Sequence, residues 1–144
     1  MLKIRLLHPE ILAALAASGH FSQVLVADGN FPIAGYRGPN ARVVHLNLTP
    51  GTLDAITVLD ALLEVVPVQA ATVMEPPADF KPPIHEIYRQ RLGKEIIWTQ
   101  MERWAFYEKI ASPRTTLMVA TGEQRRFANL LFEIGVVKLA TESF

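Results

Sequence analysis

A chain of 144 residues, half of them apolar, is sized for one domain with its own core. Its 14 basic and 14 acidic side chains cancel, which leaves no footprint for nucleic acid or for an anionic membrane. No cysteine is present, so disulfides, thiolate metal ligands and cysteine nucleophiles are excluded. No apolar run reaches the roughly 20 residues that span a bilayer. The start, MLKIRLLHPE, is too short in apolar residues for a signal peptide and no cleavage pattern follows it, so a cytoplasmic location is expected.

Residues 9–18, PEILAALAAS, read as a helix: Pro9 suits the first helical position, Glu10 the positive end of the dipole, and Gly19 the position after the cap. Its apolar stripe is Ile11, Leu12 and Leu15. Residues 23–27, QVLVA, are short and continuous, as a strand buried on both faces would be. RVVHLNL at 42–48 predicts a second strand. A helix follows over 53–66, with Ile56, Leu59, Leu63 and Val66 on one stripe and Asp54 and Glu64 off it. VQAATVM at 68–74 predicts a strand, and EPPADFKPP after it a long surface loop, suited to a lid or an interface.

The remaining elements are a helix over 84–92, a strand at 95–99 (EIIWT), a helix at 102–111, a strand at 115–120 ending in the turn TGE, and a strand pair or hairpin within 129–137. Strands alternating with helices predict an α/β fold, and no repeat or low-complexity segment interrupts it.

Three clusters carry polar chemistry. His20 and Asp28 bracket the strand at 23–27. A strand rises about 3.3 Å per residue, so the five residues 23–27 separate the two by roughly 16 Å. They can line one cleft if the His20 loop folds back, or meet where one chain's His20 approaches a neighbour's Asp28. Each also has an ordinary reading, as a histidine beside a helix end and an aspartate capping a turn. In RWAFY, Arg103 and Tyr107 lie four apart on one helix face, where a guanidinium beside a phenol can hold a polyhydroxylated ligand. The plain alternative is an aromatic core with Arg103 reaching water. In TGEQRRFAN, Asn129 puts an amide at the edge of a strand, within what is otherwise a polar turn. The four histidines, at 8, 20, 45 and 85, lack metal-ligand spacing; there is no nucleotide fingerprint and no G-x-S-x-G elbow.

Taken together, LLHPEILAALAASGH, VLVADGNFP, RWAFYEK and VATGEQRRFANLLFEIGV, in this order and from about Leu6 to Val137, resemble the D-ribose pyranase / L-fucose mutarotase family. RWAFYE and the TGE turn are closer to the L-fucose branch; the ribose branch typically has a histidine near the position of Arg103. The resemblance implies a three-layer α/β/α fold around a mixed sheet. It also implies a ring assembly, commonly a decamer of two pentamers, with sites near subunit contacts. The implied activity interconverts the anomeric or ring forms of a free monosaccharide, with no metal or organic cofactor. It makes His20 the proton donor, Asp28 a substrate ligand, Arg103 a further ligand, and Phe127, Ala128 and Asn129 the counterpart of a Tyr-Gly-Asn or Tyr-Ala-Asn segment.

Two departures stand out. GHFS replaces the usual GHGD or GHTD, and Phe127 stands where the family has a tyrosine. The missing hydroxyl costs roughly 1 kcal/mol of affinity if it only binds sugar, or about 10² to 10⁴ in rate if it transfers a proton. Tyr107 is the candidate to replace it. Ring opening protonates the ring oxygen and deprotonates the anomeric hydroxyl, and closure reverses both. A histidine, with an ordinary pKa of about 6.5, suits that exchange. L-fucose and D-ribose are the leading sugars. The second reading is a monosaccharide-binding or transport-associated protein without catalysis, which Phe127 favours.

Overall fold

The computed structural model of the protein describes residues 1–141. In chain order the elements are α1 (Pro9–Ala17), β1 (Gln23–Ala27), β2 (Arg42–His45), α2 (Ala55–Leu63), β3 (Val68–Met74), α3 (Pro83–Leu92), β4 (Ile97–Met101), α4 (Arg103–Ile110), β5 (Thr115–Ala120) and β6 (Leu130–Ile134). The six strands form one sheet in the order β2-β5-β1-β6-β3-β4. Five run parallel, and β6 alone runs antiparallel, between β1 and β3.

Helices cover both faces, so the sheet is mixed and three-layered, as the resemblance implied. Alternation along the strands explains why. Val24 and Val26, Leu117 and Val119, and Leu130 and Phe132 point to one face, where α1, α2 and α3 bring Ile11, Leu15, Leu59, Leu62, Ile84 and Tyr88. Leu25, Ala27, Met118 and Leu131 point to the other, where α4 brings Phe106 and Ile110 and the segment after β1 brings Phe31 and Ala41. All five residues of β1 are accordingly buried.

Several boundaries differ from expectation. α1 ends not on a left-handed Gly19 but on an extended Ser18, whose hydroxyl donates to the Ala14 carbonyl at 2.7 Å. α2 is shorter than 53–66. Asp54 caps it by accepting from the Thr57 amide at 2.8 Å. Its buried face is Ala55, Val58, Leu59 and Leu62, so of the expected stripe Ile56, Leu59, Leu63 and Val66 only Leu59 is on it; a helix apolar almost all round does not fix its own rotation.

β2 stops at His45, not residue 48, because Leu48 turns to donate to the Thr52 carbonyl at 2.8 Å. β4 lies two residues later than EIIWT, with Ile97 paired to Ala70. The stretch 129–137 holds one strand and no hairpin: both edges of β6 are already taken by β1 and β3, and Gly135 leaves the ladder to donate to the Pro67 carbonyl. The proline-rich segment after β3 does run as a loop to Pro82.

Candidate active site

In open α/β sheets, clefts form outside the carboxyl ends of the strands where the strand order reverses. That edge gathers most of the candidate residues. Asp28 follows β1, Arg103 opens α4 directly after β4, and Tyr107 is one turn further along. Because β6 runs the other way, its beginning lies at this same edge, bringing Phe127 and Asn129. These five line one cavity of about 190 Å3, below the roughly 300–1,000 Å3 of drug-sized ligand pockets, together with Asn30, Phe31, Met74 and Arg126.

Asp28 and Asn129 are latched to each other. The Asp28 amide donates to Asn129 Oδ1 at 2.7 Å, which leaves the Asn129 NH2 to donate to a ligand. The Asn30 amide donates to Asp28 Oδ1 at 2.9 Å, so the aspartate does cap a turn, and that bond engages one of its two oxygens. Burial raises the Asp28 pKa; the Asn30 and Phe31 amides pull it back, and the nearby Glu123 carboxylate pushes it further up.

The folded protein therefore holds the Asp28 proton more tightly than the unfolded chain does. The stability linked to this group is present below the unfolded value of 3.8 and is lost as pH rises through the higher folded value. Asp28→Asn keeps the acceptor and removes the buried charge. We expect it to raise stability at pH 7 by about 1 kcal/mol, or roughly 2–4 °C in Tm. Thermal unfolding at pH 4 and 7 checks this: the gain over wild type grows with pH, and a loss of stability at pH 7 would contradict it.

Helix α3 fixes the segment before β6. Tyr88, fully buried, donates to the Ala128 carbonyl at 2.6 Å. Burial pushes its phenol strongly upward, so it remains a donor. His85 Nε2 lies 2.7 Å from the Phe127 carbonyl, which can only accept, so Nε2 carries the proton. Its Nδ1 is buried without a partner, and burial lowers the His85 pKa, partly offset by that carbonyl. The two anchors hold Phe127 in the left-handed region at φ 62°, which costs a non-glycine residue about 1 kcal/mol or more. The Phe127 ring packs against Phe80 of the proline-rich loop, centroids 5.6 Å apart.

Tyr107 is held by rings instead. Phe31, Tyr36 and Trp104 meet it edge-on at 5.1, 4.9 and 5.8 Å. Burial raises its pKa, and Arg103 opposes that. Its hydroxyl makes no hydrogen bond among the described residues, so the cavity does contain a phenol beside the Phe127 ring. The plain reading of RWAFY is half right: Phe106 and Ile110 enter the core, while Arg103 and Tyr107 face the cavity.

His20 is elsewhere. It sits on the turn before β1, at the opposite edge of the sheet, so the loop does not fold back to Asp28. There its Nε2 lies 2.9 Å from Gln69 Oε1, and Gln69 Nε2 donates to Glu133 at 3.0 Å. Since Oε1 only accepts, His20 Nε2 donates to it, and Nδ1 makes no hydrogen bond among the described residues. Phe21, left-handed at φ 71° and half exposed, stacks on the His20 ring at 3.7 Å. Arg114, ion-paired with Glu133, has its guanidinium carbon 5.9 Å from the centroid of that phenylalanine ring. The GHFS departure therefore builds an exposed histidine–phenylalanine plaque, with the Ser22 hydroxyl closing the turn by accepting from the Gly19 amide.

Sequence reasoning missed Asn30, Phe31, Met74 and Arg126 in the cavity, and His85 and Tyr88 behind it. Met74 and Asn30 were findable from position, as each lies within three residues of a strand's carboxyl end. His85 and Tyr88 share a helix face at a spacing of three, but nothing local names the carbonyls they reach. Among the described residues, no group of three or more His, Asp or Glu side chains is placed to hold a metal, and no helix is long and apolar enough to cross a membrane.

Comparisons with known proteins place this geometry. The model of the RbsD / FucU transport protein family matches residues 1–137. The chain is 34% identical to D-ribose pyranase 2 of Streptomyces griseus over 94% of this chain and 98% of that protein. It is 32% identical to the fucose mutarotase of Homo sapiens, over 93% and 92% of the two chains. Among solved structures, the fucose mutarotase from Streptococcus pneumoniae in complex with L-fucose superimposes with a TM-score of 0.81 at 25% identity, covering 96% of this chain and all of that one. Sequence and overall fold thus agree, and the chain belongs to the RbsD / FucU transport protein family.

Proposed function

We propose that this protein is a monosaccharide mutarotase, acting as one sugar mutarotase-like domain across its length in the cytoplasm. It opens and recloses the ring of a free sugar such as L-fucose or D-ribose. The observation that carries the reading is the convergence of Asp28, Arg103, Tyr107 and Asn129 on one small cavity. Relatives named D-ribose pyranase and fucose mutarotase support it.

The free Asp28 oxygen accepts from a sugar hydroxyl, Asn129 and Arg103 donate to others, and Tyr107 supplies the phenol that Phe127 lacks. The proton comes from His20, and it comes from a second copy of the chain, because β1 keeps a chain's own histidine roughly 16 Å away. The tautomer set by Gln69 presents His20 Nδ1 to take the anomeric proton; protonated, it returns a proton to the ring oxygen. The acid and base are both side chains, and the reaction transfers no electrons to or from the sugar. An assembly that repeats this contact, the decamer of two pentameric rings that the resemblance implies, completes every site.

Magnetisation-exchange NMR on L-fucose, D-ribose and other free sugars tests the reading. We expect accelerated exchange for at least one sugar, reduced about 10² to 10⁴-fold by His20→Ala while sugar binding survives. Binding without acceleration for every sugar would favour the non-catalytic, transport-associated reading, for which Phe127 is the specific observation. Exchange in His20→Ala at the wild-type rate would remove the proton-donor assignment.

A further inference from the structure

The cavity contains more charge than a neutral sugar needs. Two arginines, Arg103 and Arg126, line its 190 Å3 beside one acidic residue, Asp28. Neither arginine forms an ion pair among the described residues. Arg125, next in sequence to Arg126, is by contrast satisfied by Glu123 at 2.7 Å, and the remaining ion pairs are Arg5–Glu64, Arg91–Asp60 and Arg114–Glu133.

Asp28 does not neutralise them either. It forms no ion pair with either arginine among the described residues, and one of its two oxygens accepts from the Asn30 amide. The contact that holds Arg126 is the Phe80 ring, 4.9 Å from its guanidinium carbon. That contact leaves the planar edge of the fork, with its donors, available. Phe80 also packs on Phe127, so the ring that positions Arg126 backs a residue of the cavity wall. Where a phenol would offer one neutral hydroxyl, Phe127 offers none, and the residue before it offers a cation.

We propose that the site takes a reducing monosaccharide bearing a carboxylate, a hexuronic acid, with Arg126 as the specificity-determining residue that pairs with the carboxylate while Arg103 and Asp28 hold the ring. This rests on the mutarotase reading and deepens it. A planar carboxylate matches a guanidinium fork in two parallel hydrogen bonds. It adds little bulk beyond the sugar ring, which a cavity of this size requires. Ring opening is unchanged, since the carboxylate takes no part in it. A sugar phosphate shares the charge but adds a bulkier tetrahedral group.

The test measures exchange of D-galacturonate, D-glucuronate, D-galactose, D-glucose, L-fucose and D-galactose 6-phosphate by NMR in one series. We expect kcat/KM for a uronate to exceed that for its neutral counterpart about tenfold, mainly through KM, with the preference shrinking severalfold between low and high salt. Arg126→Gln should reduce the uronate-to-neutral ratio about tenfold, and Arg126→Lys, which keeps the charge, should retain part of it. A merely structural role for Arg126 would lower both sugars together and leave the ratio unmoved, which overturns the proposal. So does a wild-type preference for L-fucose or the other neutral sugars, or for the phosphate. If no sugar is exchanged, the mutarotase reading fails separately. Calorimetric titration of D-galacturonate against D-galactose then decides the anion preference: tighter uronate binding lost in Arg126→Gln upholds it, and equal binding overturns it.

Discussion

An equal mixture of His20→Ala and Asp28→Asn chains, unfolded and reassembled together, recovers about a quarter of the wild-type exchange rate. Each variant alone is nearly inactive. The first lacks the acid–base group, worth about 10² to 10⁴ in rate; the second lacks a charged ligand, worth about 1.5–3 kcal/mol or tens of fold in kcat/KM. The recovery follows from where the residues lie. His20 stands at the amino edge of the sheet, hydrogen-bonded to Gln69, and Asp28 at the carboxyl edge. A site shared by two copies is intact only when the Asp28→Asn chain supplies the histidine and the His20→Ala chain supplies the aspartate. Random assembly makes that arrangement at about one contact in four. Mass analysis confirms that both chains are present. Mixed assemblies that stay as inactive as the separate variants would place the whole site within one chain and contradict the shared-site mechanism.

Gly122→Ala is expected to cost about 3 kcal/mol, a fall in Tm of roughly 10 °C, and to lower exchange even where the protein remains folded. A Cβ at this position would lie 2.5 Å from the Thr49 carbonyl oxygen, 2.7 Å from that of Thr52 and 2.8 Å from the Thr52 nitrogen. All three are backbone atoms, so no side-chain rotation relieves the clash. The same residue ties two loops together: its amide donates to the Leu53 carbonyl at 2.7 Å, and its carbonyl accepts from the Gly51 amide at 2.6 Å. One residue on, the Glu123 carbonyl accepts from the Gly29 amide, directly after Asp28. Displacing the turn therefore reaches the cavity. Gly19→Ala is the control. A Cβ there meets nothing within 4 Å, and a change within about 0.5 kcal/mol is expected. Thermal unfolding of the two variants side by side checks the contrast; equal stabilities would mean that the turn yields freely.

The sequence made the elements readable where periodicity was clean and failed where it was not. β1 was legible because five consecutive residues are buried and two turns bracket them. The rotation of α2 was not, since a helix apolar on several sides presents more than one plausible stripe. β6 was misread as a hairpin because apolar continuity says nothing about which neighbours a strand will find; its partners, β1 and β3, lie more than 50 residues away in the chain. Within the site, family resemblance placed Asp28, Arg103 and Asn129, and residue type added Tyr107. Arg126 stood in plain view inside TGEQRRFAN, but exposed arginines are common, and only the cavity separates it from Arg125. Local spacing showed that His20 and Asp28 do not meet along one strand. That the His20 loop does not fold back within one chain required the Gln69 contact, from a strand that follows two intervening elements.

β6 also behaves as a measuring rod. Its first residues adjoin Asn129 and the cavity, and near its far end Glu133 holds Gln69, which holds His20. Under the proposed shared site, one strand carries the receiving half at one end and the supplying half at the other. A subunit built this way has a head and a tail, and joining heads to tails closes a circle only if each joint turns the chain by the same suitable angle; otherwise it grows as an open fibre. Lengthening β6 by two residues would preserve which faces are buried, yet would move the halves apart and change the number of subunits needed to close the circle.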